Sequence, residues 1–169
     1  MTKRKLILIA ILLIVLIIGF LIPERSLIPV EDATSKDWNP KSFWFEPWGK
    51  SGVHKGIDIF AKQGKPVISA VPGIVIYHGE WGIGGNVVAV LGAKWRIHYY
   101  AHLAEAAPVP WFVSSGEVIG HVGTSGNAAG KQPHLHYAVI SIVPIPWHIS
   151  TATQGWKRMF FLNPSEMLQ

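Results

Sequence analysis

His54-Lys55-Gly56-Ile57-Asp58 is a short stretch that is answered far downstream by His134-Leu135-His136. Side chains alternate faces along an extended strand, so His54 with Asp58, and His134 with His136, each point the same way. Two strand faces then offer three imidazoles and a carboxylate to one site. Neutral His nitrogen and Asp oxygen suit zinc, which takes a tetrahedral shell and leaves one position for water when the site is catalytic. Alone, a His-x-His is common in strands, and a His-Asp pair is an ordinary surface hydrogen bond. Tyr100-Ala101-His102-Leu103, lying between the two stretches, makes the combination more than either part.

Outward from these stretches the pattern is short β-type runs separated by glycine. Strands are expected at Gly56 to Phe60, Pro66 to Ala70, Gly73 to Tyr77, Asn86 to Leu91, Arg96 to His102, Glu117 to Val122 and Leu135 to Val143. Gly82-Ile83-Gly84-Gly85 and Gly123-Thr124-Ser125-Gly126 read as turns between them. Outside the N-terminus no segment sustains a helical period, apart from a short turn after Asn163-Pro164. The fold class is mainly β, an antiparallel sheet domain preceded by one N-terminal transmembrane helix.

That helix is Leu6 to Ile22, an unbroken apolar run of roughly 26 Å as a helix, which matches a bilayer interior. Lys3, Arg4 and Lys5 precede it and stay cytoplasmic by the positive-inside rule, which places the rest of the chain outside. A cleaved signal peptide is the rival reading. Phe20-Leu21-Ile22-Pro23-Glu24-Arg25 offers no small-residue cleavage site, and the chain has no cysteine for lipid attachment, so an uncleaved anchor is expected. Residues 1–23 are read as basic tip and anchor, 24–47 as linker or collar, and 48–169 as the folded domain. Phe43-Trp44-Phe45-Glu46-Pro47-Trp48 is dense in aromatics and is expected to pack on that domain rather than at the headgroups.

The net charge of +5 invites a nucleic-acid reading, but three of the cations belong to the topology signal. From Glu24 onward, 12 Lys and Arg stand against 10 Asp and Glu with no block of like charge, which argues against nucleic acid.

With these motifs in order, the sequence resembles the M23 family of zinc metallopeptidases, the lysostaphin-like peptidoglycan endopeptidases, from about Trp48 to Leu168. His54-Lys55-Gly56-Ile57-Asp58-Ile59 resembles the family's first metal motif, and Gly64 to Ala70 with Gly73-Ile74-Val75 the strand pair that follows. Tyr100-Ala101-His102-Leu103 resembles its middle motif, Gly116 to Gly126 its glycine-punctuated turn, and Pro133-His134-Leu135-His136-Tyr137 its closing motif. The resemblance implies one Zn2+ per chain held by His54, Asp58 and His136, with His102 and His134 as catalytic non-ligand histidines. One departure is that Lys131 and Gln132 separate Gly130 from Pro133, where members often have glycine directly before the closing motif; this bears on substrate preference.

The function this implies is a membrane-anchored zinc endopeptidase that hydrolyses amide bonds in peptidoglycan stem peptides or cross-bridges. It would sit in the cytoplasmic membrane with its domain on the extracytoplasmic side. Relatives that activate another wall hydrolase lack metal ligands, and none is substituted here; a protease for exported proteins would use the same site. His98 shares strand parity with Tyr100 and His102, and a structural role is favoured over a cleft role. His78, His121 and His148 match no metal position. Glu31, Asp32 and Asp37 are read as solvated charge, with occupation of the open zinc position as the alternative.

Overall fold

The computed structural model describes residues 2–106 and 108–168. Helix α1 (Lys3–Leu21) is apolar from Leu6 onward and has no fully buried residue. Among the described residues it is the helix long and apolar enough to cross a membrane. It closes with the Ile22 amide donating to the Ile18 carbonyl, and Pro23 then prevents continuation.

Nine strands follow: β1 (Ile57–Phe60), β2 (Pro66–Ile68), β3 (Gly73–Glu80), β4 (Asn86–Leu91), β5 (Arg96–Leu103), β6 (Phe112–Val113), β7 (Val118–His121), β8 (His134–Ser141) and β9 (Phe161–Leu162). Seven of them form one antiparallel sheet in the order β1-β8-β5-β4-β3-β6, with β9 paired to β8, while β2 and β7 pair separately. The expected runs all contain strands, with ends moved by up to three residues. The two-residue strands β6 and β9 escaped the sequence reading because two residues carry no period. The expected turn after Asn163 is a short 3-10 turn, Pro164–Glu166, whose opening is capped by the Asn163 side chain accepting from the Ser165 amide.

Strand alternation divides the sheet into two faces. Ile57 and Ile59 of β1, with Leu135, Tyr137 and Val139 of β8, are fully buried. They join Val88, Val90 and Tyr100 in a core closed by Val67 of β2 and Ile119 of β7. Burying such a side chain is worth about 1.5–3 kcal/mol, so this register is strongly held. The opposite face carries Asp58, His134, His136, Tyr99 and Ala101.

The segment 24–47 is laid against the domain as a collar rather than hanging as a free tether. The Leu27 amide donates to the Ala70 carbonyl and the Ile68 amide to the Pro29 carbonyl, which extends the β2 edge. Val30 and Trp38 enter the core, and the Trp38 indole N–H donates to Ser165 Oγ at 3.1 Å. Trp44 is buried as well, its indole donating to the Thr153 carbonyl. The aromatic cluster thus packs on its own domain, as expected.

A candidate metal centre in an aromatic cleft

The register of the sheet builds the centre. Asp58 and His136 are directly opposite residues of β1 and β8, and Ala101 of β5 is opposite His136 on its other side. Opposed residues in an antiparallel pair hold their Cβ atoms about 5 Å apart, which lets Asp58 Oδ1 and His136 Nδ1 meet at 2.8 Å. The small side chain of Ala101 leaves the cleft side of His136 open.

His54 arrives differently from the sequence expectation. It lies before β1, outside the strand, so alternation does not place it; the bend at Lys55-Gly56 does. A Cβ on Gly56 would overlap the Tyr137 carbonyl oxygen and stand 3.0 Å from the His136 ring, so only glycine fits where the chain turns under that ring. The His54 ring then sits with Nε2 3.1 Å from both Asp58 Oδ1 and His136 Nδ1.

His54 Nδ1 faces the Ser42 carbonyl at 3.0 Å. A carbonyl only accepts, so Nδ1 carries the proton and Nε2 turns its lone pair toward Asp58 and His136. Burial raises the Asp58 carboxyl, but the adjacent His136 and His54 rings outweigh it and hold the group well below the usual carboxylate range. Burial is also the main influence lowering His136, against the pull of Asp58. A carboxylate and two ring nitrogens, all within 4.8 Å of one another, therefore converge on a point where a cation would resolve the crowding of lone pairs. Ligands about 2.0–2.1 Å from a tetrahedral zinc stand roughly 3.3 Å apart. The 2.8–3.1 Å separations here fit that group with a small expansion.

His102 and His134 flank this group without joining it. The His134 Nδ1 lies 2.7 Å from the Gln132 carbonyl and the His102 Nδ1 2.9 Å from the Ser125 carbonyl. Both rings therefore present Nε2 lone pairs, by the same argument as for His54. Their centroids are 5.1 Å apart in an edge arrangement. Burial first, then the charges of His136 and His134, lower the His102 pKa to about 4.

His102 reaches the cleft only through its backbone. By parity it belongs with His98 and Tyr100, which are both fully buried on the core side. Its φ of 66° breaks the alternation and turns the ring over. The two glycine turns hold that geometry: Gly85 and Gly126 pack backbone against backbone so closely that a Cβ on either would overlap the other. Ser125, which receives the His102 proton, is itself fixed by the Asn86 amide donating to its Oγ at 2.9 Å.

The cleft above these groups has a volume of about 570 Å³ and is walled by Trp48, Trp81, Ile83, Tyr99 and Phe161, with Lys55 and Lys131 as its cations. Trp48 stacks on His54 with centroids 4.0 Å apart and planes 23° apart. Tyr99, edge-on to His136, has its hydroxyl pushed up to about 12 by burial and then by Tyr77, so it remains a donor. Trp48, Tyr99 and Gln132 were missed as site residues in the sequence. Tyr99 was not legible, since His102 was the one mark of the cleft face in β5 and its parity is opposite to that of Tyr99.

The other histidines lie elsewhere. His98 is in the core, its Nδ1 2.6 Å from the Tyr137 hydroxyl, and His121 pairs with Glu105. The collar carboxylates do not line the cleft: Asp32 pairs with Lys65 at 2.7 Å, and Asp37 accepts from the Thr34 amide and hydroxyl.

The sequence pattern of peptidase family M23 matches residues 52–144, more than half the chain, and the chain belongs to that family. It is 38% identical over 113 residues to the L-Ala--D-Glu endopeptidase of Bacillus subtilis, a match covering 61% of this chain and 35% of that protein. The catalytic domain of lysostaphin from Staphylococcus simulans shares the fold, with a TM-score of 0.56 at 24% identity over 71% of this chain and 83% of that one. A zinc-containing peptidase from Vibrio cholerae superposes with a TM-score of 0.53 at 28% identity, over 69% of this chain and 37% of that one. The chain spans between about a sixth and a third of the length of the curated relatives it matches. The family is one of zinc metallopeptidases acting on the cell wall.

Proposed function

We propose that this chain is a membrane-anchored zinc endopeptidase that hydrolyses amide bonds in peptidoglycan stem peptides or cross-bridges. The observation that carries the reading is the convergence of His54, Asp58 and His136 beside two further histidines whose Nε2 lone pairs face the same cleft. In this reading His54 Nε2, Asp58 Oδ1 and His136 Nδ1 hold the metal. Zinc bound there supplies Lewis-acid polarisation of the scissile carbonyl and makes water a nucleophile near neutral pH.

His102 and His134 are the proton-handling groups. Each holds its Nδ1 proton on a backbone carbonyl, so Nε2 is free to accept a proton from the attacking water and return it to the departing amine. The Tyr99 hydroxyl, on the same face, is a donor for the substrate carbonyl. The aromatic walls orient an extended peptide and exclude water. Lys55 and Lys131 suit a peptide bearing free carboxylates, as wall stem peptides do. The Bacillus subtilis relative, named for an L-Ala–D-Glu bond, supports that substrate class.

Lys3, Arg4 and Lys5, which open α1 ahead of its apolar run, support an orientation in which the cleft faces the wall. Residues 1–23 then act as anchor, 24–47 as the collar and 48–169 as the peptidase domain. The test is incubation of the full-length, zinc-loaded protein in detergent with purified peptidoglycan and no other protein. Fragments cut within peptides are expected, and a chelator should stop their release. Wall left intact until an amidase is added would assign the chain to the activators instead.

A further inference from the structure

We propose that the β3–β6 edge of the domain is a second membrane contact, seated at the headgroup boundary beside α1. The proposal rests on α1 being the anchor argued above. The domain grips the helix through Trp95. The Trp95 indole N–H donates to the Leu16 carbonyl at 2.9 Å, and its ring packs on Gly19 so closely that a Cβ there would overlap it. Leu16 lies six residues before Ile22, roughly 9 Å down the helix. The grip therefore falls on the part of α1 that a bilayer would cover, and it draws the adjoining sheet edge down to that level.

What stands at that edge is apolar and uncovered. Ile74 of β3 is paired with Phe112 of β6, and they are 45% and 48% exposed. Trp111, beside Phe112, is 75% exposed, and Ile76 is 47% exposed. Ile74 and Phe112 line a cavity of about 320 Å³ together with Gly19, Ile22 and Trp95, so the patch is continuous with the exposed apolar surface of α1. A surface that must meet hydrocarbon thus runs without a break onto the domain. Tryptophan at its outer margin, with Arg25 and Lys94 nearby, is the composition of an interfacial contact with anionic headgroups.

The ion pair at the helix exit holds the arrangement. Arg96 donates to Glu24 Oε1 at 2.9 Å, and the Glu24 side chain is 3% exposed. The chain leaving α1 is thereby fastened to the first residue of β5, and the domain has little freedom to lift away. An anchored peptidase held in this way works within a short, fixed height of the membrane.

The absence of cysteine allows a direct test on the full-length protein. Single variants Trp111→Cys, Phe112→Cys and, as control, Glu80→Cys would each carry a polarity-sensitive fluorophore. Glu80 is exposed at the far end of β3, roughly 20 Å from Ile74. The proteins would be placed in phosphatidylethanolamine–phosphatidylglycerol vesicles containing nitroxide-labelled lipid. Several-fold stronger quenching at 111 and 112 than at 80, with blue-shifted emission, is expected. Equal quenching at all three positions, in protein that resists alkaline extraction, overturns the second contact and leaves the anchor standing. Release of the protein by alkaline extraction overturns both.

Discussion

Trp48 lies flat on the face of the His54 ring, 4.0 Å between ring centroids, while the Ser42 carbonyl accepts the Nδ1 proton at the edge of the same ring. The indole thus sets the plane of His54 while Ser42 sets its proton. Groups that orient a metal ligand are worth about 10–100-fold in metal affinity. Trp48→Ala is expected to weaken zinc binding by about 10-fold in a competition titration with a chromogenic chelator, and Trp48→Phe to restore most of it. Equal affinity in wild type and Trp48→Ala would remove the positioning role.

Gly56 has a narrower tolerance. Its missing side chain is the space in which the chain passes beneath the His136 ring and the Tyr137 carbonyl. Gly56→Ala is expected to cost about 1–3 kcal/mol in stability, the usual penalty of overpacking, and to lower zinc content with it. Chemical denaturation together with metal analysis checks both; a variant unchanged in both would mean the bend is not tightly packed.

The acid side of the stability profile follows from His98. Burial first, and then the charge of Arg96, lower its pKa to about 3, far beneath the usual 6.5. A histidine depressed on folding stabilises above the unfolded value and loses that contribution as pH falls from about 6.5 toward 3. Each such group adds a slope of up to ~1.4 kcal/mol per pH unit. His102, lowered to about 4, adds a second slope between 6.5 and 4. Denaturant midpoints of the zinc-free protein should therefore fall steeply below about pH 6.5, and His98→Gln should flatten the fall by up to one proton. An unchanged slope in that variant would contradict the burial of a neutral imidazole.

Much of this was legible in the residues themselves. The period of two in the β1 and β8 motifs puts Asp58 on one strand face and His134 with His136 on another, and the glycine turns fall between strands as the sequence reading set them; the register that brings Asp58 opposite His136 comes from the structure. Three things were not legible, each for a physical reason. His54 is placed beside Asp58 and His136 by a bend rather than by the strand alternation expected of it. His102 enters the cleft through a positive φ that no side-chain pattern encodes, while His98, of the same parity, goes into the core. Val30 ends the short run Leu27-Ile28-Pro29-Val30 and Trp38 stands alone among polar residues, so the collar shows no period although it closes the core.

The proposed site divides five histidine and aspartate positions between metal binding and proton transfer, and zinc content per chain separates the two groups. Purified full-length His54→Ala, Asp58→Ala and His136→Ala should each lose the metal. His102→Ala and His134→Ala should keep about one zinc while losing wall-hydrolysing activity by roughly 10² to 10⁴-fold. Full zinc occupancy in any of the first three, or metal loss in either of the last two, would contradict the assignment of those residues.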